Sequence, residues 1–254
     1  MKQDNGAVLL TAVLVGTVAF FVGALLARAL PNWHPKPLVD LLVASIGAFA
    51  GTVGGAWIAL TGEKRRRQQA TEDANISAAN LAVFELGRIS NFFLMYQRHV
   101  IEPNRNSPIR WLLLARYKLP QGVVFGFDFP SLAFLFSIRG PAVLALVALE
   151  LERYQTVAYM ITAASEALSL RAHPRMEAAG IGDGVSLQQI ETALGVRVVA
   201  ELRTLTDGIV DHVDRNIISV FSAAAELRAA ALSIYPHRRV LALEIPEIDS
   251  ESAS

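Results

Sequence analysis

The chain has 254 residues, 53% of them apolar, and its mean hydropathy of +0.38 is too high for an ordinary soluble protein. Its 23 basic and 23 acidic side chains cancel, so no overall positive field attracts it to nucleic acid. Because it has no cysteine, disulfide bonds, thiolate metal sites and cysteine nucleophiles are excluded. The composition therefore predicts a membrane protein with no nucleic-acid partner.

Two uncharged stretches near the N-terminus are each long enough to cross a bilayer. They cover 6–27 and 41–60, and about 20 helical residues match the hydrocarbon thickness of about 30 Å. A short link with prolines separates them, so 1–62 is predicted to be a hairpin of two spans, at about 6–28 and 38–61. The alternative for the first stretch is a signal peptide cleaved at Ala27-Arg28-Ala29.

A run of four cations follows the second stretch directly. Under the positive-inside rule this end of the span stays in the cytoplasm. Both termini are therefore predicted to be cytoplasmic, in a bacterial-type inner membrane. We expect the four side chains to contact anionic lipid headgroups; they are Lys64, Arg65, Arg66 and Arg67.

Glycines recur at every fourth position of the second stretch, at Gly47, Gly51 and Gly55. This spacing lets another helix approach closely, and Gly16 and Gly23 belong to a similar row in the first stretch. The simplest prediction is that the two spans of one chain pack together, and the alternative is self-association of several copies. Neither stretch carries a charge, which argues against an ion or solute pathway.

The remainder of the chain is predicted to be a cytoplasmic helical domain, 63–245, followed by a disordered acidic tail, 246–254. A helix is expected over 71–101, because this region lacks proline and has apolar residues at helical spacing. It holds more aromatic residues than one helix face needs. We predict that later helices bury them, with a partner-binding surface as the alternative; they are Phe84, Phe92, Phe93 and Tyr96.

Two segments in the middle of the domain are short. The first, 109–118, is expected to form a few helical turns with Trp111 and Leu114 facing inward. The second, 122–149, is apolar enough to raise the question of a third span. Charged, proline and glycine residues divide it into pieces too short to span, so we predict a short buried helix, with membrane contact as the alternative; the dividing residues are Asp128, Pro130, Arg139, Gly140 and Pro141.

Two long helices are expected after that segment. One begins at Pro141, ends near His173-Pro174, and has apolar or small residues about 3.5 apart over 144–168, which is typical of helices packed side by side. The other follows the N-cap Ser186 and has an apolar stripe over 187–234, with a bend expected near Gly208. We predict that they form an antiparallel pair, followed by a short strand or extended arm.

No nucleotide-binding, metalloprotease or hydrolase motif occurs, and the five histidines are scattered. The most polar group is a set of four charged residues spaced four apart on the last helix. It predicts salt bridges between successive turns rather than a catalytic site; the set is Arg203, Asp207, Asp211 and Arg215. No catalytic residue, cofactor, metal site or small-molecule ligand is predicted.

These observations predict an all-α membrane protein, with a two-span hairpin and a cytoplasmic helical bundle that contains long antiparallel helices. The favoured function is a non-enzymatic interaction or scaffold module, whose partners are the bilayer and either another protein or a further copy of itself. The first alternative is an oligomerising effector, of toxin or defence type, that perturbs the bilayer through its glycine-rich span. The second is an enzyme with a site assembled from residues distant in sequence.

Overall fold

The computed structural model describes residues 35–119, 124–137, 141–182 and 184–244. Within these ranges 83% of the residues are helical and none forms a β-strand. The prediction of an all-helical protein is therefore confirmed. The first predicted span, with Gly16 and Gly23, and the tail 246–254 lie outside the described residues.

The chain divides into two compact units, 1–71 and 72–254. Helix α1, Pro35–Tyr96, contributes residues to both. In unit 1 its residues from 43 onward are exposed, apart from the half-exposed Val53 and Gly54. The predicted limit of the hairpin at residue 62 stays a prediction.

Unit 2 consists of the last part of α1 and five further α-helices. A π-helical turn, Gln97–Ile101, and a 3-10 turn, Glu102–Asn104, extend α1, and a 3-10 helix, Pro130–Ser137, precedes α3. The π-helical turn Leu168–Ala172 joins α3 to α4. The five helices are α2 (Arg110–Ala115), α3 (Pro141–Ala167), α4 (His173–Ala178), α5 (Leu187–Leu194) and α6 (Val196–Ile234).

The long helices α3 and α6 pack against each other and run in opposite directions, as predicted. Glu150 near the start of α3 bonds to Ser219 late in α6, and Met160 lies against Gly208 farther along the pair. The predicted α3 stripe is buried or half-buried at every position, and so is the α6 stripe. Burial of these apolar faces, together with that of α1, forms the core of unit 2.

The last helix differs from the prediction because it is broken at Gly195. Ser186 caps α5 through a capping box with Gln189, as expected, but Gly195 has φ +76° and separates α5 from α6. A positive φ interrupts the helical hydrogen-bond pattern, and glycine adopts it without strain. At Gly208, where a bend was expected, α6 continues, and the missing side chain permits close contact with Met160.

One other local prediction is corrected by the structure, and a second, which left two alternatives open, is decided. The helical path of α3 does not end near His173-Pro174: it continues through α4 to Ala178, because proline fits the first turn of that helix. The arm after α6 is extended but forms no strand, since the backbone N–H of Leu241 donates to the Asn80 side chain rather than to another strand. In the segment 109–118, α2 forms with Trp111 buried, as predicted.

Candidate functional site

Two helical stretches of the described chain are long and apolar enough to cross a membrane, Val43–Asn104 and Val196–Ile234. The first consists of α1 from residue 43 together with the two turns that extend it, and the second is α6. In the most apolar window of the first, 0% is buried inside the molecule, compared with 44% in the second. The apolar side chains of α6 fill the core of unit 2. Of these two helices, therefore, only the first has an apolar window that is wholly uncovered by the described chain.

The cationic run follows this apolar surface along α1. Lys64, Arg65, Arg66 and Arg67 are all exposed, and the Nε atom of Arg67 lies 2.7 Å from Oε1 of Glu63, one turn earlier. An exposed pair of this kind contributes little to stability. The run is thus available to an anionic surface.

The glycine row of α1 is open. A Cβ atom added at Gly47, Gly51, Gly54 or Gly55 would meet no described atom within 4 Å. The row therefore leaves room for another helix. Its predicted partners in the first span, Gly16 and Gly23, are outside the described residues, so the pairing stays a prediction.

The four aromatic residues that were predicted to be buried, with a partner surface as the alternative, are divided between core and surface. Phe93 is 0% exposed and Tyr96 2%, so both are buried as predicted, and the alternative of a partner surface is wrong for these two. Phe92 is half-buried and packs edge-on against Tyr154 at 5.1 Å between ring centroids. Only Phe84, at 56% exposed, can meet a partner directly. Because every third or fourth residue of a helix lies on the same face, Phe93 and Tyr96 face the core and Phe84 faces outward.

A groove of about 330 Å³ lies between α1 and the segment that begins the 3-10 helix. Its walls are small or apolar except for Glu85, Asp128 and two serines, and the exposed Leu81 forms part of its rim. The lining residues are Ala74, Ser77, Ala78, Leu81, Ala82, Glu85, Gly126, Phe127, Asp128, Ser131 and Leu132. The sequence did not indicate this groove, because its second wall is formed by residues 126–132, a segment with no helical or strand periodicity.

The carboxylates of the groove already have partners within the chain. Both oxygens of Glu85 accept from Nη1 of Arg88 at 2.9 Å, and that guanidinium lies 4.9 Å from the ring centre of Phe125. Asp128 accepts from the backbone N–H of Ser131 at 3.3 Å and so caps the 3-10 helix. These bonds hold both carboxylates against neighbouring groups of the chain and so fix the shape of the groove.

A polar network joins α6 to the end of α1. Asp214 accepts from Nη1 and Nη2 of Arg105, each at 2.9 Å, and from the amide of Gln97, also at 2.9 Å. Burial alone would raise the pKa of Asp214, but the bonds from Arg105 and Gln97 outweigh it, and the pKa is lowered. The bond to Asp214 is also the main reason why the pKa of Arg105 is raised. The network holds the π-helical turn in place.

The predicted ladder of salt bridges along α6 is wrong at two of its members. Arg215 pairs with Asp211 one turn away, as predicted. Asp207 instead accepts from Arg110 of α2 at 2.6 Å, and Arg203 pairs with Glu191 of α5. Because α2 and α5 pack on this flank of α6, Arg110 and Glu191 reach Asp207 and Arg203 in place of the charged residues one turn away on α6.

A buried carboxylate in α3 was not predicted. Glu150 is 1% exposed, its Oε1 accepts from Nη1 of Arg153 at 2.5 Å, and its Oε2 accepts from the hydroxyl of Ser219 at 2.9 Å. Asn216, one turn before Ser219, is 3% exposed, and its amide nitrogen has no partner among the described residues. The available signal was Glu150 itself, a lone charge within the apolar stretch that begins α3.

Two tyrosines of the core have raised pKa values. Burial raises the pKa of Tyr96, and Tyr117, whose ring centre is 4.9 Å away, raises it further. Burial also raises the pKa of Tyr154, although Arg88 acts in the opposite direction. Both hydroxyls therefore stay protonated at physiological pH.

The described part of the chain contains no group of three or more histidine, aspartate or glutamate side chains that could hold a metal ion. The ion pairs around Asp214, Asp207 and Glu191 join neighbouring helices. The uncovered features of this part of the chain include the apolar surface of α1 and the groove beside Leu81 and Phe84. No protein family, curated protein or solved structure matches this chain.

Proposed function

We propose that this protein is a non-enzymatic, membrane-anchored interaction module. The observation that carries the proposal is the apolar window of α1, none of which is buried inside the molecule. A surface of this size remains exposed to water at a high cost, about 25 cal/mol for each Å². Insertion into a bilayer removes that cost, since about 20 apolar helical residues match its thickness.

The cationic run gives the anchor a direction. Lys64 to Arg67 are exposed on the side of α1 that leads to unit 2, and the positive-inside rule places such a run in the cytoplasm. Unit 2 is then a cytoplasmic domain of an inner-membrane protein. The expected result is that the full chain stays in the membrane pellet after alkaline carbonate extraction, and recovery in the supernatant would contradict anchoring.

The groove beside Leu81 and Phe84 is the surface proposed for a protein partner. Both residues are 56% exposed, they are three positions apart on one face of α1, and Leu81 also lines the groove. Large exposed apolar side chains beside a concave apolar surface are typical of protein-binding sites.

Site-specific photo-crosslinking in cells tests this surface. A photoreactive amino acid replaces Phe84, and the matched control replaces Thr204, which is exposed on α6. We expect a discrete crosslinked product from position 84 alone, with the partner identified by mass spectrometry. Equal products from both positions, or none from position 84, would refute a partner surface here.

The alternative of an oligomerising membrane effector is supported by the open glycine row. An added Cβ at Gly51 has no described atom within 4 Å, so a second helix has room to pack there. The mass of the detergent-solubilised protein tests it, with Gly51→Leu compared with Ala56→Leu on a different face of α1. Loss of an oligomer in the first variant alone would favour the effector, whereas a monomer in all three proteins would argue against it.

A further inference from the structure

The groove beside Leu81 and Phe84 follows one face of α1. The positions 74, 78, 81 and 85 line it at the spacing of a single helix face, over about three turns or roughly 16 Å. On the opposite wall, 126–132, an added Cβ at Gly126 would meet no described atom within 4 Å. Small side chains on α1 leave room for an apolar segment to approach closely; they are Ala74, Ser77, Ala78 and Ala82.

The groove also carries negative charge. Glu85 and Asp128 line it, and none of its lining residues is a lysine, arginine or histidine. Arg88 neutralises Glu85 through two bonds of 2.9 Å. Asp128 is exposed, and its partners among the described residues are the backbone N–H and the hydroxyl of Ser131, which are uncharged. Asp128 is therefore the acceptor that a cation supplied by a partner would meet.

The conformation of the partner segment follows from the ways in which proteins bind peptides. Addition of a β-strand requires the edge of a sheet, and the described residues contain no strand. A phosphorylated segment requires a cluster of cations, which the lining of the groove lacks, and a proline-rich segment requires several aromatic rings, of which the groove has Phe127 alone. An amphipathic helix requires an apolar groove that accepts side chains three or four positions apart, and this requirement is met.

The acidic tail of this chain, 246–254, is a poorer occupant than a cationic partner. The tail carries Glu247, Asp249 and Glu251 and no basic residue. In the groove it would bring negative charge close to Asp128, and like charges that meet in an interface weaken it. The sign of the charge therefore favours a segment from another protein over the tail.

We propose that the groove binds an amphipathic helix of a protein partner, which places apolar side chains against Leu81 and Leu132 and a lysine or arginine beside Asp128. This rests on the proposed function, because it specifies the partner of the surface assigned there. The apolar contacts supply most of the affinity, and they cover Leu81 and Phe84. The pair with Asp128 fixes the direction in which the helix lies and rejects acidic segments.

Photo-crosslinking of the full-length protein in cells tests the cation. A photoreactive phenylalanine derivative replaces Phe84 in the otherwise unchanged chain and in Asp128→Lys, Asp128→Asn and Glu152→Lys. Asp128→Asn removes the charge but keeps an oxygen that can accept from Ser131, in case lysine disturbs the 3-10 helix. Glu152→Lys makes the same charge reversal at an exposed position of α3 and is the matched control. The yield of the crosslinked product is measured, and the linked peptide is sequenced by mass spectrometry.

We expect the yield to fall about tenfold in Asp128→Lys and about threefold in Asp128→Asn, and to stay unchanged in Glu152→Lys. The linked partner peptide should contain a lysine or arginine within about two helical turns of the linkage. Replacing that cation by glutamate should restore the yield with Asp128→Lys, because the pair is then re-formed with its charges reversed.

Three results would overturn the proposal in different ways. If both Asp128 variants give the same yield as Glu152→Lys, no cation meets Asp128, and the proposal is wrong while the partner surface at Phe84 stands. If both linked peptides belong to this chain, the occupant is a second copy and not a partner. If no product forms from position 84 in any of the four proteins, the partner surface of the proposed function fails as well.

Discussion

Removing the cation that accompanies Glu150 should destabilise unit 2. The perturbation is Arg153→Met, which retains much of the length of the side chain but not its charge. Glu150 is 1% exposed and accepts one bond from Arg153 and one from the hydroxyl of Ser219. After the substitution the hydroxyl alone remains to compensate a buried carboxylate.

The expected loss follows from what an unpaired buried charge costs. Removing one partner of a buried ion pair costs about 3–5 kcal/mol, whereas replacing both partners by apolar residues is often neutral. Arg153 is 34% exposed, so water can partly replace it. We therefore expect Arg153→Met to lower the free energy of unfolding by about 3 kcal/mol, and Glu150→Leu combined with Arg153→Met to lower it by less than about 1 kcal/mol.

Urea unfolding in mild detergent, followed by the fluorescence of Trp111, measures these changes. Trp111 is buried in unit 2, and replacing Trp33 and Trp57 by phenylalanine leaves it as the single reporter. Glu152→Gln, at an exposed position two residues from Glu150, is the matched control and should change stability by less than about 0.5 kcal/mol. If Arg153→Met is as mild as this control, or if the double variant is the least stable, the buried-pair reasoning is refuted.

Three further predictions concern contacts of α6 and are measured by the same unfolding assay. Asp214→Asn should lower the free energy of unfolding by about 1–2 kcal/mol at neutral pH. Because the pKa of Asp214 is lowered in the folded protein, its contribution to stability is lost as the pH falls below about 4. A variant that loses stability in acid to the same extent as the parent protein would contradict the network. Gly208→Val should lower the free energy of unfolding by about 2 kcal/mol, since an added Cβ would lie 3.1 Å from the sulfur of Met160. Met160→Ala should restore part of this loss, and additive losses in the double variant would show that the contact is absent. Gly195→Ala should cost about 1 kcal/mol because φ is +76°, and a gain in stability would place that residue in the helix.

The features that the sequence predicted are those that depend on local spacing. The stripes of α3 and α6 repeat over many turns, so their buried faces and antiparallel pairing followed from periodicity. Ser186 was recognised as an N-cap because its hydroxyl serves the backbone three residues later. The break at Gly195 was missed because the apolar stripe continues through it without a change of spacing.

The features that were missed depend on contacts between distant segments. Asp207 pairs with Arg110 rather than within α6, which no spacing along one helix could indicate. The aromatic residues of α1 in unit 2 divide between core and surface according to which helices pack on it, and of these four only Phe84 is exposed. The groove likewise requires the segment around Asp128 to lie against α1.

The composition of α6 illustrates why apolarity alone does not identify a span. The most apolar window of α6 has a mean hydropathy of 1.6, the same value as the most apolar window of α1. The difference is that 44% of the α6 window is buried by neighbouring helices and none of the α1 window is. Packing rather than composition therefore separates the core helix from the proposed anchor.

The most direct test of the anchor is photolabelling from inside the bilayer. A hydrophobic carbene precursor is dissolved in membranes that contain the full-length protein, and the labelled peptides are located by mass spectrometry. We expect label in residues 43–60 and none in α6, Val196–Ile234. Label in α6, or an unlabelled 43–60, would contradict the assignment of α1 as the helix that enters the membrane.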